Sequence, residues 1–230
     1  MIYLGSPGSQ MHAHLVKDMP VLLSYGIWMK WWKNYQASFG PLLIDSGAFS
    51  VINSGKTIDV EEYVDWAEQW RGRADAVACL DDISGDWEQG WRNMERHPPG
   101  IGFPTFHDKD PWGLLPELCE AARDHGGWIG IGMTPTERPK LGDWLARVLD
   151  QIPDDLHVHG WALGHHWRTH LRLDSMDSTN WFRDSWKFNK QMPWLTPAEC
   201  VELVVKRSNR LRREPTDKCM DAPKSWGIDE

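Results

Sequence analysis

Leu4-Gly5-Ser6-Pro7-Gly8-Ser9 follows the first short apolar run of the chain, and its spacing decides between two architectures. A doubly wound sheet usually carries a glycine-rich phosphate loop after its first strand. This segment matches neither G-x-G-x-x-G nor a P-loop, so the open sheet loses its usual signature. Working outward, short β-rich runs alternate with longer segments of helical period. Strands are predicted at residues 2–4, 21–25, 42–44, 76–80, 102–106, 128–132, 157–163 and 173–176. Helices are predicted at 60–71, 112–124, 141–151 and 197–212, with Asp59 and Thr196 as N-caps ahead of acidic first turns. Eight strands alternating with helices is the count of a single compact (β/α)8 TIM-type barrel, at the short end of the usual length.

The 230 residues are enough for one well-buried core, and nothing in the composition demands two. A barrel over residues 1–213 and a charged, proline-containing tail over 214–230 are expected. A hydrophobic content of 41% with 25% charged residues excludes a disordered chain. No apolar run reaches membrane-spanning length, and the start lacks the basic-then-apolar layout of a signal peptide, so a cytoplasmic protein is expected. Cys79, Cys119, Cys200 and Cys219 stand far apart, suggesting neither a disulfide framework nor a four-cysteine zinc site. The net charge of −8 gives no global attraction to nucleic acid, so any such partner must meet a local patch. The 16 tryptophans serve either as core filler or as stacking platforms.

In a barrel of this kind, reacting groups sit at the C-terminal ends of strands. There the sequence places a set of acids: Asp45 after strand three, Asp81 and Asp82 after strand four, Asp108 beside His107 after strand five, and Asp174 with Asp177 around strand eight. Carboxylates converging from separate strands repel one another and lose hydration, which raises a pKa toward the range useful for proton transfer. Taken singly, Asp82, Asp108 or Asp174 could equally cap the next helix. Exchange at a glycosidic bond with retention needs two carboxylates, one attacking the anomeric carbon and the other moving the proton. A third acid can accept N–H donors from a base edge. Gly130 and Gly132 offer close backbone approach to a base carbonyl, or else serve packing.

These residues resemble the tRNA-guanine transglycosylase superfamily. Leu43-Ile44-Asp45-Ser46-Gly47-Ala48-Phe49-Ser50 is similar to its strand-three aspartate motif. Cys79-Leu80-Asp81-Asp82 is similar to its base-recognising motif, Trp128-Ile129-Gly130-Ile131-Gly132 to its base-binding strand, and Met176-Asp177-Ser178 to its nucleophile segment. The order agrees over about residues 40 to 182. Asp-Ser-Gly-Ala-Phe and Asp177-Ser178-Thr179-Asn180-Trp181 most resemble the DpdA-type DNA 7-deazaguanine transglycosylases of phages and bacteria.

The resemblance implies a pentosyltransferase with DNA and a free 7-deazaguanine, such as the 7-cyano form, as partners, with tRNA as the alternative polymer. Accessory DNA-modification proteins are further implied partners, and no cofactor is implied. It implies Asp177 as nucleophile, with Asp174 as the alternative three residues away, and Asp45 as general acid/base. Asp81 would read the base edge, Phe49 would stack on the base, and Ser46, His107, Gly130 and Gly132 would complete the base site. His107 stands near the place of a glutamine in the tRNA enzymes. Their cysteine-rich zinc cluster has no counterpart here, since Cys200 and Cys219 stand alone.

Lys206, Arg207, Arg210, Arg212 and Arg213 form a basic cluster that would meet phosphates, or would simply suit the end of a helix dipole. A metal-dependent barrel hydrolase using His157 and His159, with His165, His166 and His170 following, is a second enzyme reading. A non-catalytic nucleic-acid-binding module is the third.

Overall fold

The structure is a computed structural model and describes residues 1–5, 7, 10–28, 40–52, 54–82, 84–132, 141–163, 172–178 and 190–211. It contains a strand at each of the eight expected places: β1 (Ile2–Gly5), β2 (Val21–Ser24), β3 (Leu42–Asp45), β4 (Ala76–Val77), β5 (Thr105–His107), β6 (Trp128–Gly132), β7 (His157–Gly160) and β8 (Ser175–Ser178). They form a single sheet in the order β4-β3-β2-β1-β8-β7-β6-β5, with every pairing parallel. Every strand pairs with its sequence neighbours except β4 and β5, which form the two edges, and β1 lies beside β8. The order therefore has no reversal of the kind that defines a doubly wound sheet. The result is a curled, TIM-like α/β sheet.

Its two edges meet at one place. Ala78 bridges Phe103, with Phe103 N–H donating to Val77 O at 2.9 Å and Cys79 N–H to Phe103 O at 3.0 Å. A full ladder does not follow among the described residues. The carbonyl of Leu80 is taken instead by Asn93 Nδ2 at 3.0 Å. The sheet is thus a curled half-barrel touching itself at one bridge, and not the fully laddered barrel expected from the strand count. The expected 76–80 strand shortens to Ala76–Val77 for the same reason.

The helices are α1 (Gln10–Val16), α2 (Tyr25–Trp28), α3 (Ala48–Ile52), α4 (Val60–Glu68), α5 (Trp87–Met94), α6 (Leu114–Asp124), α7 (Leu141–Leu149) and α8 (Pro197–Leu211). Asp59 caps α4, accepting from Glu62 N–H at 3.0 Å. Thr196 and Glu199 form a reciprocal capping box at α8: Thr196 Oγ1 accepts from Glu199 N–H, and Glu199 Oε2 accepts from Thr196 N–H. Among the described residues no helix is long and apolar enough to cross a membrane.

Strand alternation sorts the core. Leu4, Val21, Leu23, Leu42 and Ile44 face α1 and α4, while Ile129, Ile131, Val158 and Met176 pack with α6 and α7. The opposite phase points inward: Tyr3, Leu22, Leu43, Ala76, Ala78 and Phe103 form a separate cluster, joined by Trp128 and Trp161. Two residues further along the same phase come Ser24, Asp45 and Thr105, with His107 beyond. The last inward positions of β7 and β8 are His159, Ser175 and Asp177. The polar site is therefore the inward face of the sheet, one pleat beyond its apolar filling.

Candidate active site

Asp45 ends β3 opposite Ser24 of β2. The Asp45-Ser46-Gly47-Ala48 turn folds back on it. Gly47 takes a φ of +76°, and a Cβ there would lie 2.3 Å from Ser24 Oγ and 2.8 Å from Gly26 N, so only glycine fits. From this position the Gly47 N–H reaches the Asp45 carboxylate. The buried Ser24 hydroxyl points at the same group without attaining hydrogen-bond geometry. Burial, with the negative charges of Asp177 and Asp81, outweighs these donors and raises Asp45 to a pKa of about 6. The three predicted acids therefore lie close enough for their charges to be felt at Asp45. Ser46 is buried, and its hydroxyl accepts from Ala48 N–H at the start of α3. Phe49, the next residue on that helix, is 60% exposed at the rim.

Asp177 lies within β8, and its Oδ1 accepts from Ala162 N–H at 2.8 Å. Ala162 reaches this position with a φ of +49°, the one positive value on a described residue other than glycine. Asp174, the alternative nucleophile, lies just ahead of β8 at its other end. There its Oδ2 accepts from Val158 N–H at 2.8 Å, and its carbonyl accepts from the chain's amino terminus. The structure thus separates Asp174 from the acid cluster.

His107 bridges two acids. Its Nε2 is 2.8 Å from Asp81 Oδ2, and its Nδ1 is 3.5 Å from Asp110 Oδ2, which also accepts the His107 main-chain N–H at 2.7 Å. Burial alone would lower the imidazole's pKa, but Asp81 and Asp110 override it and raise it to about 10. With both ring nitrogens committed, His107 pins Asp81 through its Oδ2. These groups line a small cleft with Thr105, Trp87 and Trp91, opening where the edges of the sheet part. Asp82 is engaged separately, accepting from Ser84 N–H at 2.7 Å.

Gly130 does not offer its backbone to a ligand. A Cβ there would meet Trp161 Nε1 at 2.3 Å and Thr105 Oγ1 at 2.6 Å, and its N–H already donates to Pro104 O. The indole of Trp161 fills that space, donating to Thr105 Oγ1 at 3.0 Å and stacking on Phe103. Gly132 is more open, with His107 Cδ2 3.5 Å from where its Cβ would stand.

His157 and His159 do not converge. His157 is 59% exposed at the start of β7, 3.6 Å from Asp174, whereas His159 is fully buried further along the strand. Among the described residues no group of three His, Cys, Asp or Glu could hold a metal. His165, His166 and His170 lie outside the described residues, as do Arg212, Arg213 and Cys219. Lys206 is exposed on α8 and paired with Glu202. Arg207 and Arg210 are described only as helical backbone.

Sequence reasoning overlooked Asp110, Ser24 and Ser175, and weighed His159 as a metal ligand or a packing residue without placing it beside Asp177. The signal that finds them is phase, since each faces inward two residues from an interior position or stands one turn from His107. No family model, no curated protein and no solved structure matches this chain.

Proposed function

We propose that the chain is a DNA-guanine transglycosylase, exchanging guanine in DNA for a 7-deazaguanine through a covalent aspartyl-sugar intermediate. The observation that carries the reading is the pair Asp45 and Asp177, two carboxylates in one site with different environments. Asp45 is raised to a pKa of about 6, suited to giving and taking a proton near neutrality. Asp177 is anchored through Oδ1, leaving Oδ2 to attack the anomeric carbon.

In the first step Oδ2 of Asp177 bonds to C1′ as the C1′–N bond breaks. The guanine departs with that electron pair and the proton of Asp45. The incoming deazaguanine then returns a proton to Asp45 and displaces Asp177. Asp81, held by His107, accepts from the N–H donors of the base edge, and exposed Phe49 supplies a stacking face. The nucleotide must be unpaired or flipped, because C1′ and its nitrogen are inaccessible in a stacked duplex. This reading takes the curled sheet as a (β/α)8 barrel that closes at Ala78 and Phe103. The choice of DNA over tRNA rests on the resemblance and on the isolated cysteines.

The test is incubation with labelled guanine or 7-cyano-7-deazaguanine and either DNA or tRNA. Label should enter DNA, and intact mass should reveal a DNA adduct in wild type that is lost in Asp177→Asn. Label in tRNA alone would move the reading to that polymer. Full exchange by Asp177→Asn would remove the nucleophile assignment.

A further inference from the structure

Beneath Asp177 lies an imidazole with one unmatched nitrogen. His159 is fully buried and pairs in register with Ser175 of β8. Its Nδ1 lies 2.7 Å from Ser175 Oγ. Its Nε2 has no hydrogen-bond partner and faces Asp177 Oδ1 at 3.7 Å. The ring cannot easily turn away, with the Trp161 indole 4.2 Å off in an edge-on contact and Tyr3 on another side at 6.2 Å. Buried polar nitrogens are nearly always partnered in folded proteins, so an exception beside a reactive carboxylate calls for a role.

The neighbours define that role. If the Ser175 hydroxyl donates to Nδ1, then Nε2 carries the ring hydrogen toward Asp177. The opposite tautomer would set a lone pair against a carboxylate. Ala162 N–H already binds Oδ1 of the same group, so the two donors converge on one oxygen.

We propose that His159 is a positioning residue for Asp177, its Nε2 closing from 3.7 Å to donate to Oδ1 when substrate is bound and so presenting Oδ2 to the sugar. This rests on the transglycosylase reading. When the Oδ2–C1′ bond of the intermediate breaks, its electron pair returns to the carboxylate and spreads onto Oδ1. There the His159 and Ala162 donors receive it, so His159 favours release of the sugar to the incoming base.

Two measurements test the role. Nitrogen-15 NMR of the imidazoles in the intact protein needs no substrate. A hydrogen-bearing Nε2 on His159, whose signal moves in Asp177→Asn, is expected. An Nε2 without hydrogen, or one indifferent to that substitution, overturns the proposal even if base exchange occurs. In the exchange assay, His159→Leu should lengthen the lifetime of the covalent adduct at least tenfold with little change in KM for DNA. His159→Gln, which keeps a donor near Nε2, should restore it to within a few fold. Equal lifetimes in wild type and both variants would also overturn it. Absence of any exchange by wild type would count against the transglycosylase reading alone, since the NMR result stands apart from it.

Discussion

His107 Nε2 sits 2.8 Å from Asp81 Oδ2, with Asp110 on the ring's other nitrogen, so one imidazolium holds two carboxylates at the mouth of the sheet. Its folded-state pKa of about 10 stands above the unfolded value near 6.5. The stability it contributes is therefore fully present below about pH 6.5 and is lost as pH rises through about 10. His107→Gln should destabilise the protein by about 3–5 kcal/mol at pH 7, because Asp81 and Asp110 lose their shared cation. Urea unfolding at pH 7 and pH 10.5 should show the gap closing at the higher pH.

Asp45 works in the opposite sense. An unfolded aspartate ionises near 3.9 and the folded one near 6, so the folded state keeps its proton longer and the ionised form is penalised. Stability should fall as pH rises from about 4 through 6. Asp45→Asn should be more stable than wild type by about 1–3 kcal/mol at pH 8 and equal to it near pH 4, while base exchange is abolished. Paired denaturation curves at the two pH values read the stability difference directly.

Gly130 and Gly132 should behave differently although they occupy one strand. Gly130→Ala drives a methyl into the Trp161 indole, which is itself stacked on Phe103, and should destabilise by about 1–3 kcal/mol. Gly132→Ala meets only ordinary contacts and should change stability by less than about 1 kcal/mol. Thermal unfolding of the two variants side by side makes the comparison.

Ala162 adopts a left-handed backbone conformation that disfavours an L side chain by roughly 1–2 kcal/mol. Ala162→Gly removes that penalty and keeps the N–H on Asp177, against a chain-entropy loss of roughly 0.5–1 kcal/mol. The variant should be as stable as wild type or up to about 1 kcal/mol more stable, with exchange activity retained. Denaturant midpoints and the labelled-base assay check both halves.

The places of the eight strands were legible because parallel strands buried on both faces read as uninterrupted apolar runs, but their ends were not: the expected 157–163 strand stops at Gly160 and the expected 173–176 strand runs from Ser175 to Ser178, which puts Asp177 inside it. Other features left weaker traces. α1, α2 and α3 are too short for a 3.6-residue period to register. α5 carries a signal that went unused: Asp86 before Trp87-Glu88-Gln89 accepts from Gln89 N–H at 3.0 Å, a side-chain N-cap. Ser175 was missed because its importance comes from His159, which the fold sets beside it from 16 residues away, whereas Asp110, three residues from His107, left a local signal that went unread. Of the two roles open to Gly130, the contacts favour packing, since a tryptophan about thirty residues away in sequence fills the space beside it.

The bridge between Ala78 and Phe103 divides the rim into two kinds of ground. Asp45 and Asp177 stand on β3 and β8, tied through β2 and β1 by unbroken hydrogen-bonded ladders. Asp81 and His107 face each other across the seam, with little besides that bridge and their own ion pair to hold the gap. The two acids proposed for bond exchange thus share one continuous run of paired strands, whereas the proposed base reader Asp81 is joined to His107 across the two edges of the sheet by an ion pair.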